Sequence, residues 1–183
     1  MVWVSSRWKI AIMLLPGLIF FTAFLVYPVL YAVGFSFTDF AGFGAATFVG
    51  LENYLGLGAD PFFWQSLQNT VIILVVSLAV LIPASFSLAL LLRRQARGGG
   101  LLRALVFGPA IIAPILIGLI WVFILDPKIG LLNRLLVPLG VPEIQWIGGD
   151  TLTPYAVSLV FIWSSIGFAM TIFYAGLQLL PPT

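Results

Sequence analysis

The sequence predicts an all-α membrane protein with four transmembrane helices. Apolar residues make up 62% of the 183 residues and charged residues 8%, against about 45–50% and about 25% in soluble domains. Four stretches without a charged side chain cover residues 10–38, 61–92, 104–125 and 151–183. Each exceeds the roughly 20 residues that a helix needs to cross a hydrocarbon core about 30 Å thick. We therefore place the crossings at about 10–37, 66–92, 104–125 and 154–179.

The first stretch raises the question of a secretory signal peptide, because it follows Arg7 and Lys9. Its apolar run is about twice as long as the usual core of 7–15 residues in such a peptide. We interpret it as an uncleaved signal-anchor.

The basic residues predict the orientation in the membrane, since cytoplasmic segments are enriched in Lys and Arg. Six of the eight lie in the N-terminal tail (1–9) and in the turn 93–103, which we assign to the cytoplasm. The segments 38–65 and 126–153 are then external, and the last crossing runs inward. In the external segment the apolar pattern of Asp126–Leu136 predicts a short surface helix. The turn 93–103 is interpreted as a topology anchor with a glycine hinge, and contact with anionic lipid or a partner is the alternative.

The composition excludes several classes of function. The chain has no Cys and no His, so thiolate chemistry, imidazole general bases and the commonest metal ligands are absent. Its six carboxylates are scattered, and no phosphate-binding loop motif occurs. We expect a non-enzymatic chain that holds no cofactor or metal and leaves any ATP to another subunit. No charge lies within the predicted crossings, which argues against a proton pump or an ion-coupled transporter.

Helix breaks and neutral polar groups remain as functional features. Prolines interrupt the crossings at Pro16, Pro28, Pro83, Pro109 and Pro114, and each removes a backbone donor. Pro109 and Pro114 bracket the middle of the third crossing and predict a kink there. The polar side chains of the second crossing are interpreted as hydrogen-bonding other helices or their own preceding turn. They are Asn69, Thr70, Ser77, Ser85 and Ser87.

One face of the fourth crossing carries Phe161, Ser164, Ser165 and Phe168, which are spaced i, i+3, i+4 and i+7. Two aromatic rings and two hydroxyls suit a neutral polyhydroxylated ligand, because rings stack on sugar faces and hydroxyls exchange hydrogen bonds. Small residues on a membrane helix also serve as packing contacts. Spacing alone leaves both interpretations open.

Several short segments follow one another in a recognisable order: Phe48–Tyr54, Asp60–Trp64, Asn69–Thr70, Arg103–Pro114, Leu119–Trp121, Gly130–Asn133, Trp146 and Ala175–Pro181. In this order and spacing the chain resembles the permease subunits of bacterial ABC importers for carbohydrates. That family includes the maltose and glycerol-3-phosphate permease subunits. The resemblance implies a MetI-like core of six crossings, of which this chain carries the first four. It also implies that the chain is truncated before the coupling loop that docks into the ATPase.

The resemblance further implies a multi-pass protein of the bacterial cytoplasmic (inner) membrane. Its implied partners are a second homologous permease subunit, two ATPase subunits, and an external solute-binding protein that faces residues 126–150. The family's substrate contacts fall on Phe161, Ser164, Ser165 and Phe168, which favours a substrate role for that face.

We expect a permease for a neutral sugar, oligosaccharide or polyol, since a phosphorylated solute would favour an arginine partner. The alternatives are a permease for glycerol-3-phosphate or another small solute, and a stand-alone four-span scaffold.

Overall fold

The computed structural model describes residues 7–93 and 99–179. The chain divides into two compact units, Met1–Trp64 and Gln65–Thr183, which are described separately. The predicted all-α membrane class is confirmed. The helices are α1 (Arg7–Phe21), a π-turn (Thr22–Val26), α2 (Tyr27–Phe35), α3 (Glu52–Ala59), α4 (Pro61–Arg93), α5 (Gly99–Ile111), α6 (Pro114–Leu125), α7 (Leu131–Leu136), a 3₁₀ turn (Val137–Leu139) and α8 (Thr153–Gln178).

Long apolar helices lie where the crossings were predicted. Arg7–Phe35, Pro61–Arg93 and Thr153–Gln178 are each long and apolar enough to cross a membrane. The bent pair Arg103–Ile111 and Pro114–Leu125 provides a fourth crossing if it is counted as one span. Large apolar side chains along these helices are mostly exposed. Such exposure is unfavourable in water but favourable against lipid.

In the first unit, α1 and α2 form one helical rod through the π-turn. Pro28 follows directly after Tyr27 and has no N–H to donate to the preceding turn. At this point the Tyr27 N–H donates to the carbonyl of Thr22, five residues earlier. Hydrogen bonds to the fifth preceding residue thus bypass the missing Pro28 donor, and α1 and α2 remain one continuous helix.

The loop after α2 is pinned to α3. Asn53 Nδ2 donates to the carbonyls of Ser36 and Thr38, at 2.9 and 2.8 Å. Helix α4 begins at Pro61, inside the segment 38–65 that was predicted to be external. The Asp60 carboxylate accepts the N–H of Phe62 at 2.9 Å, which satisfies a free donor in the first turn.

In the second unit, the predicted kink of the third crossing is a bend of 103° between α5 and α6. Ala113 has φ −58° and ψ 136°, an extended conformation. A residue before proline is driven out of the helical region by the proline ring, and Pro114 opens α6. The bend therefore originates in the Ala113–Pro114 pair.

Helices α4, α5 and α8 pack together at the ends that the basic residues predict to be cytoplasmic. Ala89, Leu92 and Met170 form the buried cluster. At Gly167 the two backbones of α5 and α8 meet so closely that a Cβ atom would lie 2.3 Å from the Val106 carbonyl oxygen. A glycine at this point is what allows the close approach.

The same packing corrects the predicted turn 93–103. Residues 94–98 lie outside the described residues, but α5 already begins at Gly99, so 99–103 are helical. The Arg103 guanidinium lies 4.4 Å above the ring of Tyr174 on α8. Gly99 and Gly100 thus form the start of α5, although glycine has a low helix propensity.

Candidate functional site

A cavity of about 600 Å³ lies in the angle between the bent α5–α6 pair and α8. Because α5 packs along α8 while α6 turns away by 103°, the two helices leave space beyond the bend. The α6 wall includes Ile117, Gly118 and Trp121, and the α8 wall runs from Ala156 to Ser165. The volume of the cavity falls within the range of about 300–1,000 Å³ that is typical of ligand cavities.

The structure brings three of the four sequence-predicted site residues into this cavity. Phe161, Ser164 and Ser165 all line it, near the midpoint of α8. Phe168 lies one turn further along the same stripe, does not line the cavity, and is 61% exposed. The i to i+7 spacing identified the stripe, but the length of the cavity was set by the bend at Ala113.

The two hydroxyls differ in their hydrogen bonding. Ser164 Oγ donates to the carbonyl of Phe161 at 3.0 Å, so its proton is already engaged by its own helix. In the part of the chain that the structure describes, Ser165 has no side-chain hydrogen bond, although it lines the same cavity. Ser165 therefore offers both a donor and an acceptor to a ligand.

Trp121 is a cavity residue that sequence reasoning did not single out as a ligand contact. It lines the α6 wall and packs edge-to-face on Trp163 of α8, with ring centroids 5.5 Å apart and an interplanar angle of 77°. A tryptophan face is a platform on which the apolar side of a sugar ring can stack. Its place in the Leu119–Trp121 segment was the only signal in the sequence.

Most hydroxyls of α4 bond to their own helix, in agreement with the back-bonding interpretation. Thr70, Ser85 and Ser87 donate to the carbonyls of Ser66, Leu81 and Pro83, each four residues earlier. Ser77 differs, because its Oγ is buried and has no partner among the described residues. It lines a second cavity of about 290 Å³, and Phe161 forms part of both cavities.

The external segment after α6 is held together by one buried side chain, Asn133, which is 3% exposed. Its Nδ2 donates to the carbonyls of Pro127 and Ile144, at 2.9 and 2.8 Å. Its Oδ1 accepts the Trp146 indole N–H at 2.9 Å and the Ile144 N–H at 3.3 Å. The bond between Trp146 and Asn133 thus joins two of the short segments that carry the resemblance, Gly130–Asn133 and Trp146.

The turn into α7 is closed by Asp126, whose Oδ1 accepts the N–H groups of Lys128 and Ile129, both at 2.8 Å. These bonds, first that from Ile129, lower the pKa of the Asp126 carboxyl below its usual range because they stabilise the ionised form. Gly130 follows, and a Cβ there would lie 2.2 Å from the Asp126 carbonyl oxygen. The predicted surface helix is found as α7, and its start is fixed by this turn.

The described lining of the main cavity is electrically neutral, since no charged side chain belongs to it. Among residues 7–93 and 99–179, no group of three or more acidic, His or Cys side chains could hold a metal ion. Chemically, the cavity can stack rings and exchange hydrogen bonds with a neutral ligand.

The amino-acid sequence is similar to those of known transport proteins. The chain is 31% identical over 173 residues to the probable ABC transporter permease protein YurN of Bacillus subtilis, covering 92% of this chain and 59% of that protein. It is 31% identical over 171 residues to the trehalose/maltose transport system permease protein MalF of Thermococcus litoralis, covering 93% and 58%. It is 28% identical over 180 residues to the sn-glycerol-3-phosphate transport system permease protein UgpA of Yersinia pestis, covering 97% and 60%.

The fold agrees with that of a solved transporter. A bacterial ABC transporter involved in the import of the acidic polysaccharide alginate superposes with a TM-score of 0.79 at 21% identity, over 96% of this chain and 59% of that one. A bacterial alginate ABC transporter in complex with an alginate pentasaccharide-bound periplasmic protein gives a TM-score of 0.74 at 21% identity, over 96% of this chain and 58% of that one. No family model matches the chain.

The chain spans about three fifths of the length of these relatives. Over that length both the sequence and the helical fold agree with them, and the resemblance predicted from the short motifs is confirmed. Over this length the chain is similar to the permease proteins of ABC transporters.

Proposed function

We propose that the chain forms half of the translocation path of an ATP-driven importer for a neutral sugar, oligosaccharide or polyol. The observation that carries this proposal is the uncharged cavity beside α8, where aromatic rings and the free hydroxyl of Ser165 meet. Phe161, Ser164 and Ser165 are the proposed substrate contacts. Phe168 extends the same stripe beyond the cavity, and its contact with the substrate stays a prediction.

The proposed partners are a second homologous permease, two ATPase subunits and an external solute-binding protein. Relatives named as permeases of sugar transport systems support this assembly, as does the periplasmic protein in the alginate transporter complex. The chain itself is proposed to transport and not to catalyse. It would lie in the bacterial cytoplasmic membrane, with 1–9 and 93–103 on the cytoplasmic side.

A permease for glycerol-3-phosphate is the second candidate, favoured by the relative that transports it. A phosphate group favours an arginine partner. Among the described residues, neither a Lys nor an Arg side chain lines the cavity, so the local chemistry supports a neutral solute better.

The test is ATP-dependent uptake by the complete importer, reconstituted in vesicles with its solute-binding protein. Maltose, trehalose and mannitol serve as neutral probes, and glycerol-3-phosphate and an alginate oligosaccharide as anionic ones. Uptake of at least one neutral probe, with ATP hydrolysis stimulated by the same probe, is the expected result. Stimulation by anionic probes alone would contradict the neutral substrate. No uptake and no stimulation by any probe would favour a scaffold.

A further inference from the structure

A separate polar cleft lies where the first turns of α4 approach the start of α8, and it has a volume of about 300 Å³. On α4, Gln65, Gln68, Asn69 and Ile72 line it, at the i, i+3, i+4, i+7 spacing of one helix face. On the other side it is lined by Asp150, Thr151, Pro154 and Tyr155. By the predicted orientation, both helix ends face outward.

The polar side chains of this cleft are free to bind a ligand. Within the described residues, none of the side chains of Gln65, Gln68, Asn69, Asp150, Thr151 and Tyr155 makes a hydrogen bond. Asn133 differs, because both its Nδ2 and its Oδ1 are hydrogen-bonded. The cleft therefore concentrates unpaired donors and acceptors in a chain of which only 8% is charged.

The combination of groups has a definite chemical preference. Amide side chains present donors and acceptors side by side, and a carboxylate accepts two hydrogen bonds. Each hydroxyl of a sugar can both donate and accept a hydrogen bond, so neighbouring sugar hydroxyls match these side chains. Tyr155, which is half exposed, adds an aromatic ring for stacking. A phosphate or a carboxylate ligand would be repelled by Asp150, and no cation lines the cleft to offset it.

We propose that this cleft is an outer binding site for a polyhydroxylated, uncharged solute, distinct from the cavity between α6 and α8. It extends the proposed function, because a solute released on the external side would contact this cleft before the inner cavity. Asn69 and Asp150 supply the hydrogen bonds, Tyr155 supplies the stacking surface, and Gln68 lies beside them in the lining.

Cysteine protection tests the proposal directly, because the chain has no Cys of its own. In the complete importer, without ATP and without the solute-binding protein, Gln68→Cys is modified with a membrane-impermeant maleimide. Maltose, trehalose and mannitol are added at rising concentration. At a concentration of about twice its Kd, a bound sugar is expected to slow modification about threefold by simple occupancy. Gln145→Cys, on the external segment outside the cleft, is the matched control and should react at one rate throughout.

Two second-site changes assign the effect to the cleft. In the Gln68→Cys background, Asn69→Leu and Asp150→Asn should each reduce the protection, and the modification rate without sugar checks that the fold is intact. Asp150 is exposed, so its substitution leaves the helices unperturbed. Protection at Gln68→Cys that is unchanged by both substitutions would overturn the proposal.

The remaining outcomes are also decisive. Absence of protection by all three sugars would overturn the outer site, and uptake measured separately would still support or contradict the importer. Protection by the sugar-free solute-binding protein, with none from sugar alone, would make the cleft a protein-docking surface and would refute the proposal. Protection without uptake would retain the cleft and contradict the proposed function.

Discussion

The hydroxyl of Ser165 is the smallest feature on which the proposed substrate path depends. It lines the cavity without a hydrogen bond to the described chain, whereas neighbouring Ser164 already donates to its own helix. One hydrogen bond thus distinguishes two otherwise identical side chains on this face.

Ser165→Leu is expected to reduce sugar uptake by the complete importer about tenfold or more, because it fills the cavity and removes the free hydroxyl. Membrane insertion should be unchanged, as measured by the amount of protein in the membrane fraction. Phe168→Ala is the companion change. A loss of uptake in Phe168→Ala would extend the site one turn beyond the cavity. Normal uptake in both variants would return the whole face to a packing role.

Asn133 is a second single residue with a large role, because its side chain holds the external segment together. Asn133→Ala removes four hydrogen bonds and leaves the partly buried Trp146 N–H without its acceptor. We expect a local destabilisation of about 2–4 kcal/mol, seen as faster hydrogen exchange across residues 127–146. Asn53→Ala, which loosens the loop of the first unit, is the matched control. If both variants leave exchange in 127–146 unchanged, Asn133 does not hold the segment together.

Asp126 makes the same segment sensitive to acid. Its pKa is lowered in the folded protein by the N–H groups of Ile129 and Lys128, relative to about 3.9 in an unfolded chain. The ionised carboxylate therefore stabilises the turn at neutral pH, and this contribution is lost as pH falls below 3.9 through the folded pKa.

Hydrogen exchange at Lys128 and Ile129, corrected for intrinsic rates, should accordingly increase as the carboxylate is protonated. Asp126→Asn keeps an acceptor oxygen and has no carboxyl to titrate, so its turn should respond much less to pH over this range. Equal pH dependence in both proteins would mean that another group governs the segment.

Among the helices, the bend between α5 and α6 has the largest consequence for function. It separates the part of the third crossing that packs on α8 from the part that forms the far wall of the cavity. Not every proline has this effect, because α4 continues through Pro83 from Pro61 to Arg93. The difference is that Pro114 begins a helix while Pro83 lies inside one.

Pro114→Ala should straighten the bend, since Ala113 is then free to become helical. Nitroxides at Leu101→Cys and Phe123→Cys report the change by pulsed electron paramagnetic resonance. From a rise of 1.5 Å per residue, the backbone separation should increase from about 21 Å to about 33 Å in a fully straight helix. Pro83→Ala should leave it unchanged. An unaltered distance in Pro114→Ala would show that packing against α8, and not the proline, holds the bend.

For the molecule as a whole, the orientation in the membrane depends on whether the bent pair crosses it. If it crosses, Gly100 and Lys128 lie on opposite sides, and α8 runs inward as the basic residues predict. If it re-enters, both lie on the same side and the direction of α8 is reversed.

Single cysteines at Glu52, Gly100 and Lys128 distinguish these arrangements in intact cells. We expect Glu52→Cys and Lys128→Cys to react with an impermeant maleimide, and Gly100→Cys to react only after the membrane is permeabilised. If Lys128→Cys, like Gly100→Cys, reacts only after the membrane is permeabilised, the bent pair re-enters and the predicted orientation of α8 is contradicted.

The sequence by itself determined the membrane class, the position of the long helices and the stripe of Phe161, Ser164, Ser165 and Phe168. These follow from apolar length and helical spacing, which are local properties of the chain. It also located the weak point between Pro109 and Pro114, since the effect of proline on its neighbours is local too.

Only the tertiary structure decided which part of that stripe lines a cavity. The 103° bend placed Ser165 on the cavity wall and left Phe168 outside it, and the cavity adds Trp121 from another helix. The bonds of Asn133 likewise depend on partners elsewhere in the chain, at Pro127, Ile144 and Trp146. Spacing along one helix specifies which side chains share a face, but the surface opposite that face is supplied by residues that no local pattern identifies.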